Sequence, residues 1–196
     1  EAVSHLNAGL ELIPTLPETS ERVQQELDLQ MSLGSVLMAS RGSGAPEVEQ
    51  AYARAQHLCQ QVGQTPQLFP VLWGLWRFYF SRGQHQAGRE LGDRFLSAAQ
   101  QQKDDSLLLV ACQMLGTTLF FLGEFAVSHK HLEQGITLYV PQDQQDLAVR
   151  YGAAPGIQCL AYASQTLWYL GYPDQAFQMS HKSCTLAHEV SHPYSL

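Results

Sequence analysis

Basic residues are scarce in this chain. Lysine occurs only as Lys103, Lys130 and Lys182, and 11 basic residues stand against 18 acidic ones for a net charge of -7. A protein that binds the phosphate backbone needs a cluster of Lys and Arg. No such run exists, so nucleic acid is not an expected partner. Long apolar runs are missing too. The richest stretch, residues 68–80, contains Pro70 and Arg77 and falls short of the ~18 residues that span a membrane. The N-terminus has no basic-then-apolar layout of a secretion signal. Cysteines are few and far apart: Cys59, Cys112, Cys159 and Cys184 each lie in a helical stretch beside apolar residues. Buried free thiols in a reducing, cytoplasmic setting are therefore expected, rather than a disulfide framework. No G-x-x-x-x-G-K-[ST] phosphate loop and no G-x-S-x-G nucleophile motif occurs, so neither ATP hydrolysis nor other enzyme activity is expected. No cofactor is expected either.

What the chain does have is a repeated pair of helices. Residues 107–139 read as an apolar helix, a break at Gly123-Glu124, and a second, more polar helix. Leu115-Gly116 and Leu119 lie along the first helix. Ser128, Leu132 and Gly135 share one face of the second at i, i+4 and i+7. Such a pair cannot bury both faces alone and needs neighbours stacked on it. The helix-ending glycines Gly83, Gly123 and Gly171 stand 40 and 48 residues apart. The longer interval absorbs an insertion at 142–156, in which 146–151 forms a short helix and 152–156 a loop. Strand alternation is absent throughout, so an all-α array of helical hairpins follows.

The expected order begins with a helix over 1–13, ended by Pro14 and Pro17. Its phrase His5-Leu6-x-x-Gly9-Leu10 matches His131-Leu132-x-x-Gly135-Ile136, so the chain opens on the second helix of a pair. Thr19 or Ser20 caps the next helix, and Pro46 suits the first turn of its partner. Thr65-Pro66 starts the following helix. Its partner, 84–102, buries Leu91, Phe95 and Leu96. Asp104-Asp105-Ser106 caps the helix after that. The whole reads as one repeat domain, 1–196, with units at about 1–17, 20–63, 66–102, 104–140 and 157–190. Residues 192–196 look like the start of a further helix, and both ends look cut from a longer protein.

Leu115-Gly116, Leu119, Gly123, Ser128, Leu132 and Gly135 resemble the tetratricopeptide-repeat pattern. The other units keep it less well: Leu33-Gly34 fit, Trp76 and Ser164 fill the small position, and Gly88 and Ala176 hold the later one. Residues 14–17, 45–48, 65–74, 122–125, 150–152, 167–176 and 192–196 carry a closer resemblance. They are similar to the tetratricopeptide-repeat region of bacterial multidomain adenylate/guanylate cyclase-like predicted AAA/STAND ATPases, with a departure at Ala153-Ala154. That resemblance implies a right-handed superhelix (solenoid) of degenerate hairpins. It also implies a non-catalytic interaction or regulatory arm of a larger signalling ATPase or cyclase-like protein. The partner would be a protein or peptide segment, including other domains of the parent protein. The alternative is a small-molecule sensor.

In a tetratricopeptide array the first helix of each pair lines the inner groove. That register places Met31, Ser35 and Met38 there from the first unit, and Trp73, Arg77 and Phe80 from the second. The third supplies Gln113, Thr117, Phe120 and Phe121, and the fourth Gln158, Gln165, Trp168 and Tyr169. Rings supply contact area and amides supply direction, which suits a peptide or a small polar ligand. The competing reading is that these rings only pack repeats together. His181, Cys184 and His188 share a helix face at i, i+3 and i+7, but a further zinc ligand is not evident. Cys184 packed inward between surface histidines is the expectation there.

Overall fold

The computed structural model of the protein describes residues 1–63, 65–152 and 154–190. Among them every regular element is helical. The order is α1 (Ala2–Leu12), α2 (Ser20–Arg41), α3 (Pro46–Val62), α4 (Leu68–Ser81), α5 (His85–Gln102), α6 (Asp105–Phe121), α7 (Phe125–Thr137), α8 (Gln144–Tyr151), α9 (Pro155–Tyr169) and α10 (Pro173–Val190). Short 3₁₀ turns at Ile13–Thr15 and Pro141–Asp143 end α1 and precede α8. The helices fall into two compact units, Glu1–Gln84 and His85–Leu196. The expected 66–102 hairpin is thus divided between them, α4 in the first and α5 in the second.

Local chemistry sets the boundaries. Thr19 accepts the Arg22 amide at 3.2 Å to cap α2, and Asp104 accepts the Leu107 amide at 3.0 Å to cap α6. Each satisfies an amide that has no partner inside its helix. Pro46 and Pro155 open α3 and α9, where the missing N–H costs nothing. The start at Pro155 corrects the loop expected over 152–156, because the Ala154 carbonyl already accepts Gln158 N at 3.1 Å. In α4 the first turn waits until Leu68, since Thr65 and Gln67 are held together in a side-chain-bonded turn.

One turn recurs three times. Gly83, Gly123 and Gly171 have φ of 71°, 78° and 88°, a left-handed conformation that glycine adopts without a Cβ clash. In each case the following amide reaches back five residues at 2.9 Å: Gln84 to Tyr79, Glu124 to Leu119, Tyr172 to Leu167. This motif satisfies the last carbonyls of the helix and ends it.

In the first unit Tyr52 of α3 slots between α2 and α4. A Cβ at Gly34 or at Gly74 would come within 2.5 Å of its ring, so α4 offers its small residue at Gly74, two positions before Trp76. Arg54 pairs with Glu26 at 2.6 Å, and the Tyr79 hydroxyl donates to Glu49 at 2.7 Å. That hydrogen bond, followed by burial and the nearby carboxylate charge, pushes Tyr79 up to about 12.

In the second unit a Cβ at Gly116 would sit 2.5 Å from Leu132, and one at Gly135 would sit 2.6 Å from the Cys159 sulfur. Ser128 Oγ donates to the Gly116 carbonyl at 2.7 Å and lies 3.5 Å from Thr166 Oγ1. These contacts tie α6 to α7 and α7 to α9, as the expected close approaches required. The insertion carries its own apolar residues. Ala148 of α8 joins Ala154, Ile157 and Ala187 in one cluster, with Tyr139 and Leu186 against it.

Three cysteines, Cys59, Cys112 and Cys159, are buried, but Cys184 is exposed. The expectation for Cys184 is corrected because Ala176, Ser183 and Ala187 form the inward face of α10. Cys184, one residue past Ser183, is rotated ~100° away from it. Leu96 is half-buried rather than buried. Residues 192–196, expected to begin a further helix, lie outside the described residues.

Candidate functional site

The residues singled out along the first helices of each pair lie in both units. In the first, Met31 is half-buried and Ser35 exposed on α2. On α4 the Arg77 guanidinium carbon lies over the Trp73 ring, 5.7 Å from its centroid, within the range of a cation–π contact. Phe80 stacks on the buried Trp76 at 5.2 Å, so its ring serves packing at least as much as surface. A cavity of about 390 Å³ opens between α1, α2 and α3, lined by Asn7, Leu10, Leu33, Leu37, Arg41 and Glu47 among others. Arg41 and Glu47 form an ion pair at its edge.

In the second unit α6 and α9 behave differently. Gln113 is 7% exposed and Thr117 1%, and the Gln113 amide donates to Thr117 Oγ1 at 3.2 Å. These two are bonded to each other and enclosed by neighbouring helices, which corrects their assignment to an open groove. Phe120, half-buried at the end of α6, is the centre of a ring cluster. It meets Phe121, Phe125, Tyr162 and Tyr169 edge-on at 5.3, 5.6, 5.8 and 5.6 Å. Tyr169 lies flat on Phe125 at 4.8 Å with 8° between planes, and His85 stacks on Phe121 at 5.2 Å. Such offset and edge-to-face pairs hold rings in fixed orientation.

Beside this cluster α9 presents Gln158, Gln165 and Trp168. Trp168 is 65% and Tyr169 63% exposed, while Gln165 is exposed and Gln158 half-buried. Tyr162 belongs to the same stripe and was not among the expected site residues. The signal that finds it is its spacing, four residues after Gln158 and three before Gln165. The stretches of α6 and α9 that supply most of this face, within residues 106–123 and 151–173, contain no Asp, Glu, Lys, Arg or His. At its rim Arg89 of α5 pairs with Glu124 at 2.8 Å. Nearby on α7, burial lowers His131, with Asp93 acting to raise it and Arg89 to lower it. His181, Cys184 and His188 all lie on the exposed side of α10, and no group of three metal-ligating side chains converges among the described residues. Also among these residues, no helix is long and apolar enough to cross a membrane.

No family model matches the chain, and no curated protein matches it. Solved structures do. A substituted form of a kinesin light chain-like protein from Podosopora anserina, with nearly identical TPR-like repeats, matches with a TM-score of 0.62 at 15% identity. That match covers 97% of this chain and 98% of the other. A second structure of those repeats matches with a TM-score of 0.60 at 14% identity, covering 95% and 97%. At such identity the likeness is one of fold, and it is the fold the helix pairs and turn glycines describe: an all-α array of tetratricopeptide-like repeats.

Proposed function

We propose that this chain is a non-catalytic protein–protein interaction module that holds a peptide segment on the α6–α9 face. The observation that carries this reading is the pair Trp168 and Tyr169, 65% and 63% exposed beside a fixed ring cluster. Large rings left in water on a folded surface mark interaction sites, and Trp and Tyr are the side chains that most often anchor them. We further propose, from the resemblance of its phrases, that the module is a cytoplasmic regulatory arm of a larger signalling ATPase or cyclase-like protein. The bound segment would then come from another domain of that parent.

The test is thermal: segments of the neighbouring domains are added as peptides and the melting temperature followed. A ligand at 100 times its dissociation constant stabilises by ~2.7 kcal/mol, a clear shift. The shift should vanish in Trp168→Ala, whose exposed side chain can be removed without unfolding. A shift that survives in Trp168→Ala would move the site elsewhere, and Arg77→Ala, beside Trp73, is the next variant to examine.

A second reading, a small-molecule effector site, is supported by the cavity of about 390 Å³ in the first unit. That volume lies within the usual ligand range. A metabolite that raises the melting temperature of the wild-type protein but not of Leu37→Phe, which adds bulk to the cavity lining, would support it.

A further inference from the structure

Gln158, Tyr162, Gln165 and Tyr169 alternate amide and ring at i, i+4, i+7 and i+11, which keeps all four on one stripe of α9. The geometry points to an uncharged, proline-rich segment in the polyproline II conformation as the peptide this stripe binds. The inference rests on the interaction reading above and names its partner class.

The argument is one of spacing, chemistry and charge. Tyr162 and Tyr169 are seven residues apart, ~10.5 Å along the helix axis. Polyproline II brings every third residue to the same side after ~9.3 Å. Two prolines separated by two residues can therefore each lie on one tyrosine ring. The same backbone makes no internal hydrogen bonds and leaves its carbonyls open. Gln158 and Gln165 alternate with the rings and carry the amide donors those carbonyls need. The rings are set beforehand. Phe120 meets both tyrosines edge-on, and Phe125 lies flat against Tyr169, so little side-chain freedom remains to be lost on binding.

Other ways of binding a peptide fit less well. Strand addition needs a sheet edge, and no strand exists among the described residues. Phosphorylated and acidic motifs are read by clustered Arg, whereas residues 106–123 and 151–173 hold no charged side chain. An amphipathic helix seeks a continuous apolar groove, and Gln158 and Gln165 break the apolar character of this stripe. On the stripe itself a charged peptide would lose water with only neutral amides and rings to face it.

The experiment measures fluorescence anisotropy of four capped, labelled peptides. One has three Pro-Pro-Ala triplets, one has those prolines replaced by alanine, one is Glu-rich, and one is an amphipathic helix. The proline peptide should bind the wild-type protein with little change between low and ~0.5 M salt, because no ion pair contributes. Tyr169→Ala and Gln165→Ala should each weaken it about tenfold with the helical circular dichroism spectrum kept, and Tyr169→Phe should restore ring stacking. Preference for the acidic or helical peptide, lost in the same variants, would overturn the proline assignment and leave the interaction reading standing. Absence of binding by any of the four would overturn the proline inference, while the interaction reading stands or falls with the thermal test on neighbouring-domain segments. Proline binding unaffected by all three variants would remove it from this stripe and overturn the inference.

Discussion

Helices α6 and α9 hold corresponding places in successive hairpins, both ended by the same glycine turn, yet they treat corresponding residues in opposite ways. Thr117 on α6 is 1% exposed, while its counterpart 48 positions on, Gln165, is exposed on α9. Met114 is fully buried, while its counterpart Tyr162 is half-buried in the ring cluster. Helix α6 is packed against α5, α7 and α9 and buries nearly every side chain from Leu107 to Leu119. Helix α9 buries one side against α6, α7, α8 and α10 and leaves the Gln–Tyr stripe on the other. A repeat therefore transmits the direction of a side chain along the array, but its neighbours decide whether that direction ends in core or in solvent.

The sharpest way to break this comparison is to add bulk at the same place in both hairpins. Gly116→Leu drives a side chain into Leu132, already 2.5 Å from where a Cβ would stand, and should cost about 3 kcal/mol by overpacking. Ser164→Leu, at the half-buried counterpart in α9, should cost no more than about 0.5 kcal/mol. Chemical denaturation of both variants measures the difference; equal losses would mean that the two hairpins are packed alike.

Alkaline pH probes what the helices share. Cys112 of α6 is pushed up to about 11 by burial, and Cys159 of α9 well above the ordinary thiol range by burial and then by Cys112. A folded pKa above the unfolded one means that the unfolded chain releases its proton first as pH rises. The stability is complete below pH ~9 and falls as pH climbs toward ~11, by about 2 kcal/mol for Cys112. Cys112→Ala should flatten that decline in a pH series of melting temperatures.

A smaller contrast lies in the polar pair of positions. Thr117→Val leaves the buried Gln113 amide without its acceptor and should cost about 1 kcal/mol. Gln165→Val, facing water, should stay within about 0.5 kcal/mol. Reversal of that order in denaturant titrations would show that Gln113 finds another partner.

The hairpins were legible in the sequence because their signals are local. Gly83, Gly123 and Gly171 mark turns whose φ only glycine holds comfortably, and Gly116, Ser128 and Gly135 mark contacts that a larger side chain would block. The outer faces were not legible to the same depth. Carrying the groove register from pair to pair put Gln113 and Thr117 in solvent, where neighbouring helices in fact enclose them. It also passed over Tyr162, whose counterpart Met114 is core. Cys184 was misplaced for a related reason: Ser183 and Ala187 point inward four residues apart, and a cysteine one position away faces out however apolar its surroundings in sequence.

The insertion before α9 has a consequence for how the chain can vary. Leu147, Ala148 and Tyr151 of α8 are 7%, 0% and 3% exposed, so this segment is locked by helical phase rather than hung as a free loop. Removing or adding one residue ahead of Leu147 would swing all three ~100° about the helix axis and turn their apolar sides to water. Length changes here should be tolerated in steps of a whole turn, three or four residues at a time, and rejected in between.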